Sequence, residues 1–248
     1  MTLIKLSSNG HTNSHDFTTF FSDFRLDPTK EYEIALINAS LWYSWYNISD
    51  SLYDNARFNY YNGSITRINQ KIPDGLYELS SLSTAIQRVI EGNSDDMENI
   101  ALSGDYTTGR VQIVLKNNYQ IDLQLGNLHT VLGFGAVNVS GNSTHTGSTN
   151  ADISNSIDNI LIRTNLISGA YLDGTASDIL WSFTPNRSPY ELLEVDPKER
   201  VYQRLDKQGG SGISRLRLYL TDQNNRAIDL NGETFSALLH IRPVKDEL

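Results

Sequence analysis

The side chains of this sequence that could perform catalysis are few and scattered. His11 and His15 are four residues apart, the spacing of half a metal site on a helix, but they lie among Asn, Ser and Gly residues, and we interpret them as solvated loop residues. Four aspartates could supply an acid and a base, but no spacing pairs them: Asp152, Asp158, Asp173 and Asp178. Nucleophile-elbow, phosphate-loop and dinucleotide motifs are absent from the sequence. We therefore predict no catalytic residue and no cofactor, and expect that the protein is not an enzyme.

An acidic group at Asp95, Asp96 and Glu98 suggests calcium, because hard cations are bound by clustered oxygen ligands. These residues lack the spacing of a calcium-binding loop. We interpret them as a solvated loop between a helix and a strand, and we predict no metal site.

Charge and composition exclude several classes of protein. The 248 residues include 20 Lys and Arg against 29 Asp and Glu, which gives a formal net charge of -9. Because phosphate binding depends on clustered cations, we do not expect direct nucleic-acid binding by the whole molecule. The sequence has no cysteine, so disulfides and thiolate chemistry are excluded.

Targeting features are weak. No apolar run approaches the roughly 20 residues that a membrane-spanning helix needs, so we expect no membrane span. The last four residues, Lys-Asp-Glu-Leu at 245–248, match an endoplasmic-reticulum retrieval signal. Since the first residues lack the apolar region of a secretion signal, we interpret this KDEL tetrapeptide as a coincidence.

The dominant hydrophobic period is two, which is typical of antiparallel strands with one buried face. Alternating segments at 111–115 and 121–125 predict a hairpin, and the pattern recurs at 215–220 and 235–242. Residues 31–46 change parity midway, so either a bulge shifts the phase or both faces of that strand are covered. Ten or so strands with frequent turns predict an all-β sandwich or barrel.

Helical patterns are limited to two segments. Apolar residues recur at steps of three and four over 79–90, which predicts one helix, ending at Gly92, as a lid over the sandwich. A second, short helix is predicted over 127–132. Residues 136–155 are rich in Gly, Ser, Thr and Asn, which predicts an exposed loop. Because no segment divides the chain, we predict one domain, residues 1–248.

Aromatic side chains are concentrated in residues 42–61. Alternation turns part of this group outward, where rigid aromatic residues are typical anchors of protein-binding and sugar-binding surfaces. Basic residues concentrate at 200–217, and they would form a positive stripe if strands 201–205 and 215–220 pair; the alternative is a solvated face balanced by nearby acids. The predicted contact residues are Trp42, Trp45, Tyr46, Tyr60 and Tyr61, with Arg204, Arg215 and Arg217 as electrostatic guides.

Several segments stand in a distinctive order. They are IALINASLWYSWYNI at 34–48, IPDGLYELSSL at 72–82 running into a helix, VLGF at 131–134, GAYLDG at 169–174 leading to ILWSF at 179–183, and IDLNGE at 228–233 before a last alternating strand. This order, from about Glu31 to Arg242, resembles a family of small proteins encoded by Polinton (Maverick) elements and adintoviruses.

The resemblance implies a penton, or minor capsid, protein: a single jelly-roll β-sandwich of antiparallel strands with one short capping helix. Such a protein forms homopentamers at the vertices of an icosahedral shell, beside the major capsid protein. It would be made and assembled inside the host cell and reside in the virion. The alternative is a carbohydrate- or receptor-binding β-sandwich, such as a viral spike head or a lectin-like module, and a hydrolase on a β-sandwich is a third hypothesis.

Overall fold

The computed structural model describes residues 2–155, 157–206 and 212–244, so Lys207 and the KDEL tetrapeptide lie outside the described residues. Three helices are present in this part of the chain: α1 (Asp50–Tyr53), α2 (Leu79–Gly92) and α3 (Leu128–Leu132), with a 3-10 turn at Met97–Asn99. The strands are β1 (Thr2–Ser7), β2 (Asp16–Phe20), β3 (Tyr32–Trp42), β4 (Arg57–Tyr61), β5 (Thr66–Lys71), β6 (Ile100–Asp105), β7 (Arg110–Leu115), β8 (Gln120–Asp122), β9 (Asn138–Val139), β10 (Thr144–Thr146), β11 (Ile160–Thr164), β12 (Ala170–Leu172), β13 (Thr175–Ser177), β14 (Ile179–Phe183), β15 (Leu192–Val195), β16 (Gln203–Arg204), β17 (Arg215–Asp222) and β18 (Ser236–Pro243).

The chain forms two compact units. The first, here called the jelly-roll unit, comprises Met1–Trp45 and Ile157–Leu248. The second, the inserted unit, comprises Tyr46–Ser156 and enters the chain between β3 and β11. The single domain over 1–248 stays a prediction.

The jelly-roll unit takes its name from its strand order. One sheet has the order β1-β18-β3-β15, with β16 also on β3, and the other has the order β14-β11-β17-β2. If these eight main strands are numbered along the chain, the sheets have the orders 1-8-3-6 and 5-4-7-2, with antiparallel pairing throughout. This is the double-sheet arrangement of a jelly roll. The predicted fold class, an all-β antiparallel jelly-roll sandwich, is confirmed.

Strand β3 contains the phase change expected in residues 31–46. In its pairing with β18, Leu239 lies opposite Leu36 but the next residue, Leu238, lies opposite Asn38, so Ile37 is an extra residue. This is a β-bulge. Because of the extra residue, Leu36, before the bulge, and Ala39, after it, both face the core. Of the two explanations, the bulge accounts for the parity change.

Inward-facing residues of the two sheets form the core of the jelly-roll unit. The alternation at 215–220 buries Leu216, Leu218 and Leu220, while their neighbours Arg215 and Arg217 are exposed. Phe17 of β2 and Phe235, next to β18, meet edge to face with ring centroids 6.0 Å apart. Aromatic contacts of this geometry add to the hydrophobic burial that holds the sheets together.

The inserted unit has its own core. It contains the sheets β10-β7-β6 and β5-β4-β8-β9, and α2 packs against β6. Buried residues of α2, β6 and β7 share one cluster with those of β4 and β8, among them Ile86, Ile113, Phe58 and Ile121. The helix predicted as a lid is therefore present, at the predicted residues, as part of the inserted unit.

The start of α2 and the end of α3 are stabilised by features of the local sequence. The backbone N–H of Glu78 donates to Ser81 Oγ at 2.9 Å, which satisfies one free amide at the start of α2. The short helix α3, predicted over 127–132, ends at Leu132 and is followed by Gly133, whose φ is 70°. A Cβ there would lie 2.4 Å from the carbonyl oxygen of Thr149, so the position requires glycine.

The hairpin predicted from 111–115 and 121–125 is wrong. β7 pairs with β6 on one side and β10 on the other, and β8 lies between β4 and β9 in a different sheet. A turn does form at Asn117-Asn118, where both residues have positive φ. Both sides of β7 are already occupied, so the chain continues into the second sheet.

Residues 136–155 are more ordered than the predicted exposed loop. β9 and β10 extend the two sheets, and Val139 is buried. Composition misses such pairing because short strands of Asn, Ser and Thr carry little apolar signal.

The two ends of the inserted unit are joined by one buried side chain. The Asn47 amide nitrogen donates to the carbonyl oxygens of Tyr77 at 2.7 Å and Ile153 at 2.6 Å. Its amide oxygen accepts the backbone N–H of Tyr77 at 2.8 Å. An amide that makes three hydrogen bonds at 3% exposure fixes three segments relative to one another.

We predict that Asn47→Ala destabilises the inserted unit by about 3 kcal/mol, because buried polar groups lose their partners. All three tryptophans, Trp42, Trp45 and Trp181, belong to the jelly-roll unit, so tryptophan fluorescence would not follow the inserted unit. The measurement is therefore hydrogen exchange of buried amides in residues 46–156. Exposed Asn224 serves as the control, and equal protection in Asn47→Ala and Asn224→Ala would contradict the role of Asn47.

Candidate interaction surface

Four strands lie at the ends of the two main sheets of the jelly-roll unit and, within the described residues, pair on one side only, as do the short strands β12, β13 and β16. The four are β1 and β15 at the edges of the first sheet, and β14 and β2 at the edges of the second. Edge strands present unpaired backbone groups that another chain can use. The side chains around these edges define two candidate contact surfaces.

The first surface lies along β15. Trp42 lies opposite Leu192 in the pairing of β3 with β15, and their exposures are 39% and 40%. Tyr190, 61% exposed, precedes them and donates its backbone N–H to the carbonyl of Tyr43. Three large apolar side chains are therefore exposed together, which is typical of interaction sites.

A groove continues from this edge between β14 and β15. It has a volume of about 640 Å³, and its apolar lining includes Trp181, Phe183, Val195 and Val201. The charged residues that line it are Glu194, Asp196 and Glu199 against one cation, Lys198. The groove is thus lined by both apolar and polar side chains and carries a net negative charge. We refer to the groove and the exposed residues Trp42, Tyr190 and Leu192 together as the groove face.

The second surface lies along β2. Phe20 is 77% exposed and lies opposite the exposed Arg215 in the pairing with β17. We call Phe20 and Arg215, with the strand that carries them, the β2 edge. No pattern in the sequence indicates Phe20 as a contact residue, because residues 16–20 show too little alternation to indicate a strand.

Arg217 is fixed within its own sheet. Its guanidinium donates from Nε to Asp16 Oδ1 at 2.7 Å and pairs with Asp16 Oδ2 at 2.5 Å, and it lies over the Tyr219 ring with its centre 4.3 Å from the centroid. Asp16 is correspondingly held at a lowered pKa, mainly by the hydrogen bond from Arg217. An arginine with these partners is less available to guide another molecule.

The positive stripe expected from strands 201–205 and 215–220 does not form. β16 pairs with β3 in the first sheet, whereas β17 lies between β11 and β2 in the second. Arg204 is exposed and pairs with Glu31 at 3.3 Å. The predicted basic residues therefore belong to different sheets, and local acids balance Arg204 and Arg217.

The predicted aromatic contacts separate into buried and accessible residues. Trp45 is 2% exposed and stacks on Tyr43 with centroids 4.2 Å apart, and Tyr60 is 1% exposed in the core of the inserted unit. Burial removes both from the candidate contact set. Tyr46 and Tyr61 are half-buried, and Trp42 is exposed.

The acidic residues considered for calcium make hydrogen bonds within the protein. Asp95 accepts hydrogen bonds from Tyr60 Oη at 2.7 Å, Asn62 Nδ2 at 2.7 Å and Arg67 Nε at 3.0 Å. These bonds, that from Arg67 first, lower the pKa of Asp95 to about 2. Burial, followed by the bond to Asp95, raises the pKa of Tyr60 to about 12. Asp96 instead caps the 3-10 turn, accepting the N–H of Glu98 at 3.1 Å.

The remaining catalytic candidates are dispersed. The His11 ring is tilted against the Phe17 ring, His15 lies 3.7 Å from a carboxylate oxygen of Asp229, and Asp178 pairs with Arg163 at 3.0 Å. Asp152 belongs to the inserted unit, while Asp158 and Asp173 belong to the jelly-roll unit. Among the described residues, no group of three or more His, Asp and Glu is placed to hold a metal ion. The helices of this part of the chain are also too short or too polar to cross a membrane.

Comparison with known proteins gives a match in structure and none in sequence. No family model matches the chain, and no curated protein sequence matches it. The crystal structure of the mavirus penton protein is similar, with a TM-score of 0.53, 12% identity, and coverage of 98% of this chain and 99% of that chain. This chain has a penton-like fold. At this identity the likeness extends to the fold alone, and the Polinton or adintovirus lineage stays a prediction.

We predict that acid weakens the inserted unit through Asp95. A carboxylate whose pKa is lowered by folding contributes stability above its unfolded pKa, near 4, and loses it as the pH falls through about 2. Unfolding by urea, followed by circular dichroism at pH 7, 4 and 2.5, should show this loss, and Asp95→Asn should reduce it. An equal pH dependence in the variant and the parent would contradict the assignment.

Proposed function

We propose that the protein is a viral capsid protein, a penton subunit that forms homopentamers at the vertices of an icosahedral shell and contacts the major capsid protein there. The observation that carries the proposal is the likeness to the mavirus penton protein over nearly the whole of both chains. The jelly-roll strand order of the first unit supports it independently of identity. The protein would then be located in the virion.

The two surfaces of the jelly-roll unit suit a ring of identical subunits. A closed ring uses a heterologous contact, in which one patch of a subunit meets a different patch of the next. The groove face exposes large apolar side chains beside a groove of net negative charge, and the β2 edge carries an exposed ring, Phe20, beside a cation, Arg215. Apolar shape and opposite charge make these surfaces complementary. We assign the subunit contact to the groove face of one subunit and the β2 edge of its neighbour.

This contact involves only some of the predicted contact residues. Trp42 and Arg215 lie on the proposed surfaces, whereas Arg204 and Arg217 are paired within the subunit. Tyr46 and Tyr61 belong to the inserted unit and play no part in this jelly-roll contact. The assignment of the subunit contact therefore rests on Trp42, Phe20 and Arg215.

We predict a solution mass of about five times 27.8 kDa. Light scattering after size exclusion, across a range of protein and salt concentrations, is the measurement. Because opposite charges contribute to the contact, the pentamer should dissociate more readily at high salt. A trimer would favour the spike-head hypothesis over the penton, and a monomer at all concentrations would contradict self-assembly of the isolated subunit.

Two tryptophans three residues apart give a matched test. We predict that Trp42→Ala raises the concentration at which pentamers dissociate by about tenfold or more while the subunit stays folded, since exposed aromatic anchors contribute strongly to interfaces. Trp45→Ala should instead cost about 3–5 kcal/mol of subunit stability, because it leaves a cavity in the core.

The control is Tyr106→Ala, which removes a 95% exposed ring from the inserted unit and should leave assembly unchanged. Phe20→Ala should act like Trp42→Ala. If neither variant alters assembly while Tyr106→Ala does, the contact lies elsewhere.

A further inference from the structure

The outer face of one sheet in the inserted unit carries a distinctive set of side chains. In the sheet β5-β4-β8-β9, alternation buries Phe58 and Tyr60 of β4, Ile121 of β8 and Val139 of β9. The side chains between them point the other way and, together with Tyr60, line a groove of about 350 Å³: Asn59, Tyr61, Thr66, Gln120, Asp122 and Asn138.

Strand register arranges these outward residues in two rows. Tyr61 lies opposite Thr66 on one side and Gln120 on the other. In the next row, Asp122 lies between Asn59 and Asn138. Directly opposed residues of neighbouring strands are about 5 Å apart, so the six side chains form one continuous polar surface with one aromatic ring.

This composition runs against strand propensity. Asn and Asp are depleted in strands, yet three of them occupy the row across β4, β8 and β9. A solvated sheet face is satisfied by residues that favour strands, such as Thr. Positions that break local rules are expected where function requires particular side chains.

Hydrogen bonds hold the row in place. Asn59 Nδ2 donates to Asp122 Oδ2 at 3.0 Å, and Asn59 Oδ1 accepts the N–H of Asn69 at 2.7 Å. Asp122 Oδ1 accepts the N–H of Gln124 at 3.0 Å, and Asn138 Nδ2 donates to Gln120 Oε1 at 3.0 Å. These bonds orient the groups before any ligand arrives.

The same bonds leave a defined set of free groups. Within the described residues, the Gln120 amide nitrogen, the Asn138 amide oxygen and the Thr66 hydroxyl make no hydrogen bond, and the Asp122 carboxylate retains lone pairs. Free donors and acceptors are thus both present in the groove that Tyr61 lines. Hydroxyl groups, which both donate and accept, match such a surface.

We propose that this face of the inserted unit binds a neutral saccharide. The Tyr61 ring would contact the apolar C–H face of a sugar, and Asp122, Gln120 and Asn138 would bind its hydroxyls. The groove volume lies in the range of small-molecule sites. Among the described residues that line it, the one charged group is the carboxylate of Asp122, so acidic sugars are disfavoured.

The saccharide proposal does not rest on the proposed pentamer, because the face belongs to the inserted unit and the subunit contact was assigned to the jelly-roll unit. The test uses the full chain produced in bacteria, which keeps Asn138, the first residue of an Asn-x-Ser sequon, free of attached glycan.

A glycan array carrying neutral glycolipid and N-linked glycans, with sialylated and sulfated forms beside them, is the first measurement. We expect neutral glycans to bind and acidic ones not to bind. Isothermal titration with the best neutral glycan then compares variants. Tyr61→Ala and Asn138→Ala should each weaken binding about tenfold or more, and Tyr61→Trp should retain it.

Gln112→Ala is the matched control, because Gln112 lies on β7 in the other sheet of the same unit. Asn138 is exposed, so Asn138→Ala should remain folded even if Tyr61→Ala does not. The proposal is overturned if no neutral glycan binds, if acidic glycans bind better, or if Gln112→Ala weakens binding as much as Asn138→Ala.

Discussion

The jelly-roll unit depends on the pairing of β3. Three strands, β18, β15 and β16, pair with its 11 residues, so the first sheet is assembled around it. The bulge at Ile37 decides which side chains face the core, because a shift of one residue reverses the faces of a strand. Leu41 is buried and Trp42 points outward as a result. One extra residue therefore places the exposed tryptophan on the surface assigned to subunit contact.

Period-two alternation was sufficient to predict several of the strands but not their partners. Residues 215–220 and 235–242 were correctly identified as strands, since alternation turns Leu216, Leu218 and Leu220 of the first and Ala237, Leu239 and Ile241 of the second into the core. Alternation at 111–115 and 121–125 was equally clear, yet these strands lie in different sheets. The alternation of apolar and polar residues along a strand is the same whichever strand lies beside it. Pairing and the division into two units depend on long-range contacts that a local pattern does not contain.

The candidate surface was predictable in residue type and only partly in position. Alternation predicts that Tyr60 and Tyr61 face opposite sides of their strand, but it does not indicate which of the two faces the core. In the structure, Tyr60 is buried. Its hydroxyl reaches Asp95, so a residue and an acidic group considered separately in sequence form one network in the structure. The exposed Phe20 lacked any local signal, since its exposure follows from the edge position of β2.

The likeness to the mavirus penton protein covers nearly all of both chains at 12% identity, and the fold explains how these two facts coexist. Alternation constrains inward positions to apolar residues of suitable size, which many sequences satisfy. Outward positions are constrained only where they contact something. Since each unit has its own core, the outer face of the sheet β5-β4-β8-β9 can carry Asn and Asp, against strand propensity, without weakening the jelly roll. Strand positions on a ligand-binding or protein-binding surface are therefore where such a chain should most often carry residues that do not favour strands.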